Sequence, residues 1–312
     1  YIGCAGGVDI TSTMEYKEET ATQGWVGRKI SLKGLRGGHS GIEIFKGRAN
    51  ANKLMARILF AAVNTQQAWL VNWHGGNMRN AIPRECEATV LVPKAQEAEF
   101  LALIEKSKAI FTEEFKDIET NGFQLTATPT LRIPAKAVPQ EIQENLINAV
   151  MAAHDGVLRY TPSMPDLVET SSNLAIINVG DGKAEVICLA RSSQDSMKLY
   201  LCNGLVGCFS MAGMKVSLEG GYSGWQPNPK SALVASMSDI YEKLYGKKPI
   251  VGACHAGLEC GIIGVNYPEM DMASYGPTLV SPHTPSEACL IPTVQKFYDF
   301  TLEILKNIPK KK

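Results

Sequence analysis

The sequence predicts a mixed α/β and α+β fold, with a two-lobed α+β part followed by a shorter α/β segment. A pattern of strand, strand, helix and strand lies between Asn80 and Leu131 and recurs more weakly between Asn173 and Leu218. Repetition of this kind favours two related α+β lobes. A glycine-rich break at Gly220–Pro227 then ends the pattern. Beyond it, strands and helices alternate in the α/β manner.

The first lobe begins with a weakly alternating strand at Trp25–Leu35, in which Val26, Ile30 and Leu32 are apolar. Apolar residues at helical spacing predict an amphipathic helix over 50–67. The later elements of this lobe are predicted as a strand at 69–73, a turn at 74–77, a strand at 86–92, a helix at 96–115 and a strand at 123–131.

The second copy of the pattern predicts strands near Asn173–Ile177 and Ala184–Cys188, a helix over 193–211 and a strand at 214–218. The final segment is predicted to contain a helix at 231–245, strands at 249–254 and 271–274, a glycine-bounded stretch at 257–264 and a closing helix at 292–308. This segment is too short to form a stable sheet of its own. We therefore expect it to pack on polypeptide that the chain lacks.

Composition narrows the functional class. The 312 residues include 31 Lys+Arg and 31 Asp+Glu, a balance that argues against binding to nucleic acid. Hydrophobic residues make up 45% and charged residues 20%, which excludes a disordered chain. The eight scattered cysteines, without CxxC spacing, favour a reducing compartment, and cytoplasmic is the predicted location. No apolar run reaches the ~20 residues that a membrane span requires.

Three histidines lie in unusual surroundings. His39 stands among glycines, so its ring could reach a cleft and hold an oxyanion, or it could simply belong to a tight turn. His283 lies between Pro282 and Pro285, which suits either a pre-ordered metal ligand or a surface loop. His255 and Glu259 have i, i+4 spacing, for which a structural ion pair is favoured over a metal site, and we leave both without a functional role.

The residues alone predict an incomplete site. No GxSxG elbow, Walker loop or GxGxxG strand-turn-helix is present. Zinc catalysis needs three or more protein ligands, and no second convincing ligand accompanies His283.

Six stretches of the sequence resemble the bacterial aminoacyl-histidine dipeptidases, which belong to the di-zinc exopeptidases. They occur in the family's order, and HAGLECG and YPEMDM are the ones specific to this subfamily. The stretches are Leu32–Gly41, Arg79–Glu85, Gly224–Pro227, His255–Gly261, Tyr267–Met272, and Gly276–Pro277 followed by Pro282–Pro285.

The resemblance implies a catalytic α/β domain that is split in sequence by an inserted lid domain. Residues 1–7 would end the amino-terminal catalytic half, 8–218 would form the lid, and 219–312 would form the carboxy-terminal part of the catalytic domain. The lid lobes would span about 8–137 and 138–218. The half that carries most zinc ligands and the general base in the family has no counterpart here. We therefore expect a fragment that is inactive alone, in agreement with its opening at Tyr1.

The resemblance also assigns residues. His283 matches the last zinc ligand, and it would be at most part of a site for the two zinc ions of the intact enzyme. His39 matches the lid histidine that helps to hold the oxyanion. Three further residues match family contacts to substrate: Asn80, Arg191 and Gly257.

The implied reaction is hydrolysis of dipeptides, with carnosine-like Xaa-His substrates favoured. The expected partner is a dipeptide, with no nucleic acid and no membrane, and the resemblance leaves room for a homodimer. Two alternatives stay open: an amidohydrolase of N-acyl amino acids, and a binding module derived from the lid without catalytic activity.

Overall fold

The architecture was analysed in a computed structural model, which describes residues 1–280 and 287–308. In chain order the helices and strands are β1 (Gly6–Glu15), β2 (Glu19–Thr20), β3 (Trp25–Lys33), β4 (Gly38–His39), α1 (Ala51–Gln66), β5 (Trp69–Gly75), β6 (Ala81–Ile82), β7 (Cys86–Pro93), α2 (Glu97–Glu114), β8 (Gln124–Pro129), β9 (Lys136–Ala137), α3 (Gln140–Ala152), β10 (Gly156–Thr161), β11 (Met164–Gly180), β12 (Lys183–Ser192), α4 (Asp195–Met211), β13 (Lys215–Tyr222), α5 (Ala232–Tyr245), α6 (Glu259–Asn266), β14 (Leu279–Val280), β15 (Ala288–Cys289) and α7 (Pro292–Lys306).

The first lobe has the order β3-α1-β5-β7-α2-β8, and its strands lie side by side as β5-β7-β3-β8, all antiparallel. Helix α1 begins after Asn50, whose side-chain oxygen accepts the backbone N–H groups of Asn52 and Lys53. The strands and helices predicted for this lobe are confirmed, with ends that shift by a few residues.

The second lobe repeats this plan. Its elements are β1-α3-β11-β12-α4-β13, and its strands lie side by side as β13-β1-β12-β11. The repeat predicted from the sequence is therefore present, and the mixed α/β fold class is confirmed. One assignment was wrong: β1 falls in the predicted first lobe, yet it pairs with β12 and β13 of the second. Because the first lobe is inserted in the sequence directly after β1, the position of β1 along the chain wrongly assigns this strand to the first lobe.

The two lobes join edge to edge through β5 and β11, where Trp73–Gly75 pairs with Ile177–Val179. With β10 on the outer part of β11, the described residues form one nine-stranded sheet. Helices α2, α1, α3 and α4 pack side by side over one face of it. The large core beneath them includes Trp73, Phe100 and Phe209. None of the described helices combines the length and the apolar character needed to cross a bilayer.

Beyond β13 the chain is largely helical. Helices α5 and α7 are both predicted from the sequence, and they pack through Met237, Ile240 and Phe300. The strands predicted at 249–254 and 271–274 are wrong, because among the described residues this stretch has only isolated backbone bridges, such as that from Cys254 to Cys4. The apolar side chains that favoured strands there, Ile250 among them, are exposed instead.

The side chain of Lys53 caps the carboxy-terminal end of α3. Lys53 Nζ donates hydrogen bonds to the carbonyl oxygens of Val150 (2.7 Å), Met151 (2.8 Å) and Ala153 (2.8 Å). We expect Lys53→Met to lower the free energy of unfolding by about 3 kcal/mol, because three carbonyls would lose a charged donor. Urea unfolding would measure the change, with Lys106→Met, an exposed position on α2, as the control. Equal stability of the two variants would contradict this role.

Candidate functional site

The part of the candidate site that contains Arg191 lies on the sheet face opposite the helices, in the second lobe. Arg191 on β12 and Ser171 on β11 are register partners, so their side chains project from the same face. The adjacent Ala190 belongs to the core beneath the helices. Since side chains alternate along a strand, Arg191 and Ser171 project away from that core.

Arg191 is a buried cation that lacks a counter-ion. It is only 5% exposed, and its Nη1 donates to the Tyr222 hydroxyl oxygen at 3.0 Å. Its Nε is buried and has no hydrogen-bond partner. Among the described residues, no carboxylate lies within ion-pair distance of the guanidinium. A desolvated guanidinium of this kind is suited to an anionic ligand, above all to a carboxylate, which matches its forked geometry.

Tyr222 connects Arg191 to Gly257. Tyr222 ends β13, and its ring lies so close to Gly257 that a Cβ at this glycine would stand 2.9 Å from Tyr222 Cε2. A side chain at position 257 would therefore displace the ring and disturb the hydroxyl that accepts from Arg191. The predicted substrate contacts Arg191 and Gly257 thus lie on either side of one aromatic ring.

His39 is held in one tautomer by the backbone of its own turn. Its Nδ1 accepts the N–H groups of Gly41 (3.0 Å) and Ile42 (3.2 Å). The proton of the neutral ring must therefore be on Nε2, which makes that atom a hydrogen-bond donor.

Glu43 fixes the same turn from its other side, because its Oε2 accepts the His39 backbone N–H at 3.0 Å. Burial alone would raise the pKa of the Glu43 carboxyl. The ammonium of Lys46, the His39 N–H and the guanidinium of Arg48 together outweigh burial and lower that pKa to about 2. Glu43 is therefore ionised at neutral pH and remains an acceptor for the turn.

Asn80 lies next to His39 because β4 and β6 pair, with His39 opposite Ala81. The turn that carries Asn80 is held to the sheet by Asn173 on β11. The Asn173 side-chain amide donates to the carbonyls of Arg79 (3.2 Å) and Ala81 (2.8 Å). Strand β11 therefore positions Asn80 as well as the register partner of Arg191.

Three residues that organise the site were missed by sequence reasoning: Ser171, Asn173 and Tyr222. A signal existed for the first two, because the run Thr170–Asn173 is polar although it leads directly into the apolar stretch Leu174–Ile177. All four polar residues of the run are buried. Consecutive buried polar residues in a strand need partners. Here Asn173 contacts the turn that carries Asn80, and Ser171 contacts His255, two residues before Gly257.

His255 is buried and lies beside Arg191, in a place the sequence did not predict. Its Nε2 is 2.7 Å from Ser171 Oγ. Burial, together with the positive charge of Arg191, lowers the pKa of the imidazole to about 3, so His255 is neutral at physiological pH. The predicted ion pair with Glu259 is wrong: α6 begins at Glu259, His255 precedes the helix, and the two side chains form no salt bridge.

His283, the predicted metal ligand, lies outside the described residues. Within residues 1–280 and 287–308, no group of three or more His, Cys, Asp or Glu side chains is placed to hold a metal ion. The described residues do not by themselves fit a di-zinc centre, which requires several such ligands around each ion. Their contacts link the other four predicted site residues in two pairs: Arg191 with Gly257 through Tyr222, and His39 with Asn80 through the pairing of β4 with β6.

The chain is similar to known peptidases in both sequence and structure. Residues 30–119 match the profile of a peptidase dimerisation domain. Over 311 residues the chain is 37% identical to the cytosol non-specific dipeptidase of Escherichia coli K12. The aligned region covers 100% of this chain and 64% of that protein. The crystal structure of the aminoacylhistidine dipeptidase from Vibrio alginolyticus superposes with a TM-score of 0.92 at 37% identity. That match covers 100% of this chain and 63% of the Vibrio chain.

Proposed function

We propose that this chain, which is 37% identical over 311 residues to a dipeptidase and whose motifs resemble the aminoacyl-histidine dipeptidases, acts in the hydrolysis of dipeptides. The favoured substrates are Xaa-His dipeptides of the carnosine type, and the location is the cytoplasm. The chain spans just under two thirds of the length of its relatives, so the activity concerns the whole protein. One observation carries the proposal: the buried guanidinium of Arg191 has no carboxylate partner among the described residues.

Arg191 binds the carboxylate at the C-terminus of the dipeptide in this proposal. The substrate carboxylate supplies the acceptor that the buried Nε lacks and neutralises the desolvated charge. Tyr222 orients the guanidinium from Nη1, and Gly257 packs against the Tyr222 ring. A ligand without a negative charge at this end would leave the cation uncompensated.

His39 acts on the scissile carbonyl. When the amide is attacked, negative charge develops on its oxygen, and a donor that is already oriented stabilises that charge best. Two backbone N–H groups are accepted by Nδ1 of the His39 ring, so the proton of the neutral ring is on Nε2. The turn therefore prepares the imidazole for this task before substrate arrives.

When bound, zinc ions would supply an activated water and polarise the carbonyl. His283 is the one ligand that this chain would contribute. We propose that the remaining ligands and the general base belong to polypeptide outside this chain. The match to a peptidase dimerisation domain supports a homodimer as the assembled form.

The recognition of a free carboxylate can be tested on the chain itself by calorimetric binding. We expect β-alanyl-histidine to bind at least about tenfold more tightly than its C-terminal carboxamide, because the amide cannot pair with Arg191. Dipeptides without histidine and N-acyl amino acids complete the panel. A clear preference for the acylated amino acids would favour the amidohydrolase alternative. Equal binding of acid and amide would contradict the proposal.

A further inference from the structure

His255 connects the segment beyond β13 to Ser171, the residue on β11 that pairs in register with Arg191 on β12. The His255 ring lies 2.7 Å from the hydroxyl of Ser171, and Ser171 is the register partner of Arg191. The imidazole is 5% exposed, so this contact is made away from solvent. The hydrogen bond is therefore made at the register partner of Arg191, within the same pair of strands.

The backbone of His255 borders the turn that holds His39. A Cβ on Gly41 would overlap the carbonyl oxygen of His255, so the two segments are in close contact. Gly41 also donates its N–H to His39 Nδ1 and thereby fixes the tautomer of that ring. The side chain and the backbone of one residue thus reach the surroundings of both proposed functional residues.

His255 is itself firmly anchored. Its neighbour Cys254 donates its backbone N–H to the Gly3 carbonyl at 3.1 Å, and the Ala256 carbonyl accepts the N–H of Ala5 at 3.1 Å. Gly257, two residues on, packs against the Tyr222 ring. The imidazole therefore extends from a segment whose backbone is fixed on both sides.

The charge of the side chain at position 255 matters because the Arg191 guanidinium must stay unpaired to bind an anionic ligand. A carboxylate here would pair with Arg191 permanently and compete with an anionic ligand. A second cation here would repel the guanidinium in a buried environment. A neutral imidazole can bond to Ser171 without doing either.

We propose that His255 is a positioning residue, a neutral polar group that ties its segment to Ser171 and keeps the Arg191 guanidinium in place and unpaired for an anionic ligand. The identity of that ligand as a dipeptide carboxylate rests on the function proposed above.

Binding of β-alanyl-histidine to the 312-residue chain, measured by calorimetry, tests this role. We expect His255→Gln, which retains a neutral polar group, to bind within about threefold of the unaltered chain, and His255→Ala to bind roughly tenfold more weakly. His255→Glu should bind about a hundredfold more weakly although it still folds, because its carboxylate would occupy Arg191. His74→Gln, at an exposed histidine on β5, is the matched control.

Ser171→Ala should weaken binding as His255→Ala does, and the double variant should be no weaker than either single variant, because both remove one interaction. Unweakened binding by His255→Glu would overturn the proposal. Equal losses in His255→Gln and His255→Ala, with equal losses of thermal stability, would overturn it as well, since they would indicate a scaffold role alone.

Failure of the proposed function gives a different result. If Arg191→Ala binds the dipeptide as tightly as the unaltered chain does, the carboxylate assignment fails. The role of His255 is then decided by nuclear magnetic resonance of the Arg191 Nε–H. Faster hydrogen exchange in His255→Ala but not in His255→Gln supports the positioning role, and unchanged exchange in both overturns it.

Discussion

Arg191→Met is expected to reduce the binding of dipeptides with a free C-terminal carboxylate by roughly a hundredfold, or about 3 kcal/mol. Methionine keeps much of the apolar stem of arginine and removes the charged fork. The carboxylate would then be desolvated without a partner, which is the costly half of the interaction. Calorimetric titration of the chain with β-alanyl-histidine measures the effect.

Two further variants separate charge from geometry. Arg191→Lys keeps the charge but cannot offer two parallel N–H donors, so we expect an intermediate loss of about tenfold. Arg132→Met removes an exposed arginine far along the chain from the site and controls for the change in net charge. If Arg191→Met binds the free acid as tightly as Arg132→Met does, Arg191 is not the carboxylate receptor.

The parts of the fold that the sequence predicts are those with local signals. Helices α1, α2, α5 and α7 have clear apolar periodicity, and they are confirmed with small shifts at their ends. The second lobe was recognised from its last four elements. Its first strand, β1, was not, because Gly6–Glu15 pairs with residues more than a hundred and fifty positions away. Periodicity indicates that a strand exists, but not which strand it joins.

The candidate site shows the same contrast between local signals, which the sequence reveals, and long-range contacts, which it does not. Glycines around His39 predict a turn, and the structure has that turn, with two backbone N–H groups on the ring. The contacts that assemble the site are long-range and follow from register. Ser171 faces Arg191 because β11 pairs with β12 without a shift at this point, and His255 reaches Ser171 across 84 positions in the chain. Local sequence around His255 suggested Glu259 as its partner, whereas tertiary packing selected a serine.

The proposed role of Arg191 fits its surroundings, which are polar and, over the residues that the structure describes, place no carboxylate within ion-pair distance of the guanidinium. A carboxylate beside Arg191 would compete with the proposed anionic ligand. The hydroxyls of Ser171 and Tyr222 and the neutral ring of His255 satisfy part of the local hydrogen-bonding need without neutralising the charge.

The 312-residue chain, purified alone and supplied with zinc, is expected to show no dipeptide turnover above background and no stoichiometric tight binding of the metal. His283 would contribute one ligand, and the described residues offer no cluster of three His, Cys, Asp or Glu side chains to complete a centre. A single imidazole binds zinc weakly and leaves no activated water at a defined position. Metal analysis after gel filtration and a histidine-release assay measure the two outcomes.

The Escherichia coli dipeptidase, assayed in parallel, controls for substrate and metal quality. His283→Ala in this chain should leave both results unchanged, since removing one ligand from an incomplete centre removes little. Carboxylate binding through Arg191 should persist in the same preparation, which separates an incomplete metal centre from an unfolded protein. Tight zinc binding that is lost in His283→Ala would contradict the expectation, because it would require further ligands within this chain.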